Sequence, residues 1–216
     1  MSVLAIVPVT PSDLAFAQRE LAGRPVLEHV LAALRGAASV DEVIVLPVDD
    51  AVILPALADA LSRRSAAGVV VVHDPLRPLA PPTLVDEVVA ALGRSAAPAA
   101  VPVLPVTDTL KSVDRDGYVG RTLDRALYQV ICTPIAVAGA TLGTALAAAG
   151  AGLARASADL AVSLTSLLSD QGVAIATLPG AVECLRVTDE AHLALAEALL
   201  ASRQERAPRT QRSRPR

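Results

Sequence analysis

The run Val69-Val70-Val71-Val72, which leads directly into polar residues, constrains the fold of this chain more than any other feature. An uninterrupted run of β-branched residues is typical of a strand buried on both faces, as in the parallel sheet of an α/β protein. Ligands of open α/β sheets bind just beyond the carboxyl ends of the strands. We therefore expect His73, Asp74 and Arg77 to lie at the edge of the sheet where binding sites are built.

Strand-like and helix-like segments alternate along the chain, as repeated βαβ units require. We predict strands over 3–8, 43–46, 69–73, 99–104, 127–132 and 173–178. We predict helices from Pro25, over 51–63, from Pro81, and over 138–150, 160–171 and 189–203. Such units predict a mostly parallel sheet with right-handed crossovers. With 53% hydrophobic residues, one large domain is expected, and we place it at residues 1–201.

Residues 109–123 interrupt this alternation. Asp116-Gly117 is a hairpin turn signal between two short alternating strands. Because a lone hairpin is only marginally stable, we expect this β-arm to pack on a second subunit and form a homodimer.

The end of the chain differs in charge from its body. Residues 202–216 hold six Arg and one Glu, whereas the whole chain has a net charge of −3. This composition predicts a disordered Arg-rich tail, which either contacts anionic partners or is a solvated extension. The acidic body and an aromatic content of 1% disfavour nucleic-acid binding outside the tail.

Membrane, disulfide-rich and zinc proteins are disfavoured as classes. No apolar run approaches the ~18 residues of a membrane span, and we expect no signal peptide. Cys132 and Cys184 are expected to be buried thiols, Cys132 within a strand, as fits a cytoplasmic protein. No His, Cys and Asp residues have metal-ligand spacing.

Five fragments carry a resemblance to a known family. They are LAGRPVLEH at 21–29, VVVVHDPLRPLAPPTLVDEVVAAL at 69–92, VPVLPVTDTLK at 101–111, TP at 133–134, and LRVT at 185–188 leading into LALAEALL at 193–200. In this order and spacing the chain resembles the 2-C-methyl-D-erythritol 4-phosphate cytidylyltransferase family over roughly residues 3–201. The HD-x-x-RP and PV-x-DT-x-K fragments are fairly specific to it.

The resemblance implies a nucleotidyltransferase-type Rossmann-like fold whose β-arm embraces the other subunit of a dimer. It also implies a reaction of isoprenoid biosynthesis. An oxygen of methylerythritol phosphate attacks the α-phosphorus of CTP, with Mg²⁺, and pyrophosphate leaves. Such transfers depend on positioning and charge neutralisation. Cations and backbone N–H groups must therefore hold the triphosphate.

On the acceptor side the family pattern survives. The resemblance implies that Asp108, Thr109 and Lys111, a D-T-x-K run, help to bind the sugar phosphate from the neighbouring subunit. Thr133 matches the Thr of the family's T-P-Q motif. Arg186 stands where the family has its substrate-side Lys, which makes it the candidate catalytic residue.

Three further arginines and one carboxylate complete the predicted site. Arg155 matches the family's phosphate-binding Arg, in a loosely aligned segment. Asp74, Arg77 and Arg19 are the remnants of the nucleotide side. Without the resemblance, Asp74 and Arg77 are interpreted as a simple ion pair or helix cap.

On the nucleotide side the family pattern is largely lost. The family's first loop is A-A-G-x-G-x-R followed by P-K, whereas residues 9–19 read VTPSDLAFAQR, without glycine or lysine. Pro11 lacks an N–H donor, and Asp13 places an anion where triphosphate oxygens belong. The family's Gly-Gly and R-x-D-S-V signature is absent between residues 50 and 69. The counterpart of T-D-D-A-S near 162–166 has no acid.

Two interpretations therefore remain open. In the first, the chain is a divergent member that binds or regulates, with the standard reaction lost or weak. In the second, it is an active nucleotidyltransferase that holds the triphosphate in another way, through Arg19, Arg24 or Arg77. The expected ligand is a small phosphorylated polyol or a nucleotide. His73 and His29 are interpreted as structural hydrogen-bonding residues.

Overall fold

The computed structural model describes residues 1–49, 52–64, 68–149 and 159–206. The strands are β1 (Val3–Val9), β2 (Glu20–Leu21), β3 (Arg24–Pro25), β4 (Glu42–Pro47), β5 (Val69–Val72), β6 (Ala99–Pro105), β7 (Leu110–Val113), β8 (Val119–Leu123), β9 (Gln129–Ile131), β10 (Ile135–Ala138) and β11 (Ile175–Pro179). The helices are α1 (Pro11–Ala17), α2 (Val26–Gly36), α3 (Ile53–Ser62), α4 (Pro82–Arg94), α5 (Gly139–Ala149), α6 (Leu160–Asp170) and α7 (Glu190–Arg206).

A central sheet has the strand order β11-β6-β10-β5-β1-β4, with β9 beside β6. β1 pairs in parallel with both β4 and β5, and β11 pairs in parallel with β6. Among the described strands of this sheet, β10 and β9 run against the rest. This arrangement confirms the predicted α/β class with a mostly parallel sheet.

Helices cover both faces of the sheet because its strands are apolar on both sides. On one face Val3, Ala5 and Val7 of β1 pack against α2 and α4. On the other face Leu4 and Ile6 pack in a cluster with α3, α5 and α6. The helix α2, which precedes β4, and the helix α3, which follows β4, thus lie on opposite faces. Such a reversal opens a crevice between the carboxyl ends of β1 and β5, where ligands of open sheets bind.

Three local assignments from the sequence need correction. The strand predicted at 127–132 is shorter, because residues 125–127 form a 3₁₀ turn. Cys132 therefore lies after β9 and not within a strand, although it is buried as expected. The apolar run at 135–138 is a separate strand, β10, and the loop expected after β1 folds into α1.

The C-terminal helix α7 was predicted to end at residue 203 and ends at Arg206, so it also passes the predicted domain boundary at residue 201. Arg203 anchors this part of the helix, since its Nη2 donates to the carbonyl oxygen of Leu79 at 2.6 Å and lies 3.6 Å from Glu183 Oε1. The rest of the predicted tail, 207–216, lies outside the described residues. Across the described part of the chain, no helix has both the length and the apolarity needed to cross a membrane.

The β-arm is present as predicted. β7 and β8 form a two-stranded sheet of their own. Gly117 occupies a positive φ of 87° in the connecting turn, a conformation that favours glycine. Val113, Tyr118 and Val119 of the arm are exposed.

Candidate functional site

Four side chains from distant parts of the sequence converge at the crevice between β1 and β5. Asp13 lies in α1, directly after β1, and Asp74 follows β5. Thr133 precedes β10, whose first residue pairs with the last residue of β5 because the two strands are antiparallel. Arg186 lies in the segment between β11 and α7. The carboxyl edge of the sheet therefore collects residues that the sequence separates by more than a hundred positions.

One guanidinium joins two carboxylates across this crevice. Arg186 Nε donates to Asp74 Oδ2 at 2.6 Å, and Arg186 Nη2 donates to Asp13 Oδ1 at 3.1 Å. We call this Asp13, Arg186 and Asp74 arrangement the carboxylate bridge. Burial alone would lower the pKa of Arg186, but the Asp74 and Asp13 carboxylates reverse that effect and raise it. Arg186 is therefore charged, and both carboxylates contact it.

The helix α1 satisfies its own N-terminal donors. The Asp13 N–H donates to Thr10 Oγ1 at 3.2 Å, and Asp13 Oδ2 accepts from Thr10 N at 3.2 Å and from Thr10 Oγ1 at 2.8 Å. This reciprocal pattern is a capping box. Pro11 contributes no N–H. The backbone donors of Thr10 and Asp13 are thus used within the chain.

Burial also changes the pKa of Asp13, the acidic residue of this capping box. It raises the pKa of the Asp13 carboxyl, an effect opposed by the two Thr10 hydrogen bonds and by Arg186, and increased by the nearby Asp74. The signal for α1 is present in the sequence as Thr10-x-x-Asp13 with Pro11 in the first turn. This sequence signal predicts the helix, but it does not predict the pairing of Asp13 with Arg186.

Asp74 is positioned by a buried polar network. The Asp74 N–H donates to Thr133 Oγ1 at 3.1 Å, and Thr133 Oγ1 lies 2.8 Å from His73 Nδ1. Asp74 Oδ1 accepts from Leu76 N at 2.8 Å. Burial lowers the pKa of His73 to about 4, so this imidazole is neutral near pH 7. His73 and Thr133 are both fully buried, and they hold Asp74 towards Arg186.

Arg77 links the end of β5 to the segment between β11 and α7 that contains Arg186. Its guanidinium donates to the carbonyl of Cys184, and its Nε lies 3.8 Å from Asp74 Oδ2. The Val187 N–H donates to the carbonyl of Leu76 at 2.7 Å. Arg77 is buried, so its contacts are with the protein.

The predicted residues of the arm lie apart from this cluster. Asp108, Thr109 and Lys111 are exposed, and Lys111 Nζ donates to Thr122 Oγ1 at 2.7 Å within the arm. Among the described contacts, no hydrogen bond or ion pair joins these three residues to the carboxylate bridge. Arg155, the other predicted phosphate ligand, lies outside the described residues.

Arg19 and Arg24, the other predicted cations near the N-terminal segment, also make contacts within the chain. Arg19 pairs with Glu190 at the start of α7, with 2.9 Å between Arg19 Nη2 and Glu190 Oε2. Arg24 Nη2 donates to the carbonyl of Glu28 at 3.3 Å. His29 Nε2 lies 2.7 Å from the carbonyl oxygen of Leu21, which agrees with a structural role.

The residues at the crevice do not fit a protein-held Mg²⁺ ion. Magnesium requires oxygen ligands in a near-octahedral arrangement, and the two carboxylates here already contact the positive charge of Arg186. Within the described ranges, no group of three or more His, Cys, Asp and Glu side chains is arranged to hold a metal. The Mg²⁺ that the resemblance implies would therefore have to enter with a nucleotide.

Comparisons with known proteins agree on one family. The model of the family described as "IspD: 2-C-methyl-D-erythritol 4-phosphate cytidylyltransferase" matches residues 50–202. A protein of that name from Frankia casuarinae is 37% identical over an alignment 211 residues long, gaps included, which covers 86% of this chain and 74% of that protein. Another from Nocardia farcinica is 31% identical over an alignment 226 residues long, which covers 92% of this chain and 94% of that protein.

The fold comparison gives the same result. The crystal structure of 2-C-methyl-D-erythritol 4-phosphate cytidylyltransferase from Thermus thermophilus superposes with a TM-score of 0.73. It is 31% identical in sequence, and the superposition covers 93% of this chain and 98% of that one.

Proposed function

Since this chain belongs to the 2-C-methyl-D-erythritol 4-phosphate cytidylyltransferase family, we propose that it is a divergent member with a degenerate nucleotide side. In this proposal the acceptor side still binds a small phosphorylated compound, and the standard transfer of a cytidylyl group is lost or weak. Its relatives are named as cytidylyltransferases. The proposal therefore concerns what this chain has changed within the family site.

The carboxylate bridge is the observation that carries the proposal. A triphosphate brings several negative charges and needs a surplus of cations and free N–H donors. At this crevice Arg186 contacts two carboxylates, and the Thr10 and Asp13 donors are used inside the capping box. The local charge is thus already balanced by the protein, and an entering triphosphate would face Asp13 and Asp74.

The second interpretation, an active enzyme with an altered triphosphate site, has less support. It needs Arg19, Arg24 or Arg77 to turn towards the phosphates. Arg19 is paired with Glu190, Arg24 contacts a helix carbonyl, and Arg77 is buried against the Cys184 carbonyl. Using any of them would break an existing contact.

The acceptor side is proposed to be completed by a second subunit. Asp108 and Lys111 are exposed on or beside an arm that has its own two-stranded sheet and exposed apolar residues. In a homodimer these residues of one subunit would approach Arg186 of the other. Lys111 and Arg186 suit a phosphate monoester, the first as a point charge and the second as a planar fork.

A rate measurement tests the proposal. Pyrophosphate release from CTP, with Mg²⁺ and methylerythritol phosphate, is compared with that of the Thermus thermophilus relative under the same conditions. Each missing charge-assisted hydrogen bond is worth about 1.5–3 kcal/mol, and about 1.4 kcal/mol corresponds to a tenfold change in rate. We therefore expect a rate at least about a hundredfold lower. Comparable rates would favour the second interpretation.

A binding measurement tests the acceptor side separately. The Arg186→Ala variant should bind inorganic phosphate at least about tenfold more weakly than the wild type, since a charged partner is worth about 1.5–3 kcal/mol. Arg63→Ala is the matched control, because Arg63 forms an exposed ion pair with Asp59 on α3. Equal binding by the wild type and Arg186→Ala would show that Arg186 is not a phosphate ligand.

A further inference from the structure

We propose that Asp13 is an internal anion that occupies Arg186 and has to leave before a phosphate monoester binds there. The inference rests on the proposed function, in which Arg186 is a phosphate ligand. It adds a regulatory feature to that site. The chain itself supplies a competitor for its ligand, and α1 acts as a plug.

The Asp13 carboxylate contacts the donors that a phosphate group would contact. Oδ1 accepts from Arg186 Nη2 at 3.1 Å, and Oδ2 accepts from the Thr10 hydroxyl at 2.8 Å. Two oxygens of one anion thus receive donors from two separate segments of the chain. A phosphate monoester presents oxygens of the same charge and hydrogen-bonding type. Displacing Asp13 would free the Arg186 and Thr10 donors together.

Asp13, and not Asp74, is the exchangeable carboxylate. The Asp74 side chain is 1% exposed and has a second donor in the Leu76 N–H at 2.8 Å, in addition to Arg186 Nε at 2.6 Å. Asp13 makes the longer contact to Arg186, and its side chain is 10% exposed. Its other two donors both belong to Thr10, at the start of the same short helix. Burial raises the pKa of the Asp13 carboxyl despite these contacts, so the carboxylate is less stable here than in water.

Apolar contacts hold α1 mainly at its C-terminal end. Its buried residues are Asp13 and Ala17, whereas Pro11, Ser12 and Leu14 are exposed. Ala17 and the half-buried Phe16 pack in a hydrophobic cluster with residues of α7 and so anchor that end. Rotation about it would move Asp13 away from Arg186 while Ala17 and Phe16 stay packed.

Calorimetric titration of the full chain with inorganic phosphate tests this inference. We expect Asp13→Asn to bind phosphate about tenfold more tightly than the wild type, which corresponds to about 1.4 kcal/mol. Asp59→Asn is the matched control, since it removes one carboxylate of an exposed ion pair on α3 and should leave the affinity unchanged. The double variant Asp13→Asn with Arg186→Ala should lose the gain.

The possible outcomes separate this inference from the proposed function. If Asp13→Asn binds phosphate as the wild type does while Arg186→Ala weakens binding, the plug is wrong and the phosphate site stands. If Arg186→Ala has no effect in either background, the phosphate site itself is wrong. If a variant misfolds, NMR of the wild-type protein still tests the inference. Phosphate should shift the NMR signals of the Thr10 and Asp13 amides, and unshifted amides at saturating phosphate would overturn the plug.

Discussion

The Asp74 carboxylate shows how single residues determine this site. It is buried, and a buried carboxylate is costly unless it is paired and hydrogen-bonded. The Arg186 guanidinium supplies the charge, and the Leu76 N–H supplies a further donor. Thr133 fixes the backbone at Asp74, and His73 fixes Thr133. Each polar group in the network therefore depends on the next one.

We expect Thr133→Val to destabilise the protein by about 1–3 kcal/mol, the cost of leaving buried polar groups unpaired. The change removes the partner of the Asp74 N–H and of His73 Nδ1 while it preserves the shape of the side chain. Urea denaturation measures the difference. The control is Thr144→Val, which loses only a hydroxyl contact to the Ala140 carbonyl on an exposed helix surface. Equal stability of the two variants would mean that the network is not stabilising.

His73 should make stability depend on pH. Its pKa is lowered from 6.5 to about 4 in the folded protein because burial penalises the imidazolium. Between these two values the unfolded chain binds a proton that the folded chain does not bind, so stability falls as the pH drops through this window. A shift of this size corresponds to about 3 kcal/mol.

The His73→Asn variant should therefore lose less stability than the wild type between pH 6.5 and about 4, as followed by urea denaturation at each pH. His192→Asn is the control, because His192 is exposed and its ring lies 3.1 Å from Asp189. It should retain the steep dependence of the wild type. Parallel curves for the wild type and His73→Asn would show that His73 is not the group responsible.

At the scale of helices and strands, periodicity and apolar runs predicted most of the main sheet. The valine run gives β5, and its polar continuation places His73 and Asp74 at the carboxyl edge. The strand β10 was not predicted, because its apolar run is only four residues long and leads directly into the alanine-rich helix α5. α1 was missed because the comparison with the family's glycine loop suggested a loop where a Thr10-x-x-Asp13 capping box starts a helix.

The pairing of Asp13 with Arg186 was beyond sequence analysis for a different reason. The two residues lie 173 positions apart, so only the tertiary fold brings them together. The residue types gave a partial signal, since Asp13 was recognised as an unfavourable anion for a triphosphate. The structure adds that Arg186 is the partner, and its positive charge stabilises the Asp13 carboxylate at this position.

The arm is the element whose role is most open to a direct test. Deleting Lys111 to Gly120 should convert a dimer into monomers, because it removes the exposed apolar surface that we expect a second subunit to cover. Sedimentation velocity at micromolar concentration measures this. A milder variant is Val119→Lys on the arm, where Val119 is 68% exposed, against Val162→Lys on α6, where Val162 is 47% exposed. If the intact chain sediments as a monomer, the arm is not a dimer contact.

At the scale of the whole molecule, the chain keeps the fold of its family, and we propose that the nucleotide side of one crevice has changed. The sheet order, the reversal between β1 and β5, and the arm are all present. The proposed change lies where β1 ends, at the capped helix α1 with its buried acid Asp13. In this proposal the fold that positions the site persists, while one side of the site no longer binds the nucleotide.

The most direct test of that claim is calorimetric titration of the purified full chain with CTP and Mg²⁺, with the Thermus thermophilus relative as a positive control. If the nucleotide side is degenerate as proposed, several charge-assisted hydrogen bonds, each worth about 1.5–3 kcal/mol, are lost to the triphosphate. We therefore expect no binding tighter than a dissociation constant of about 1 mM. A micromolar dissociation constant would contradict the claim and show that the chain holds a triphosphate through other groups.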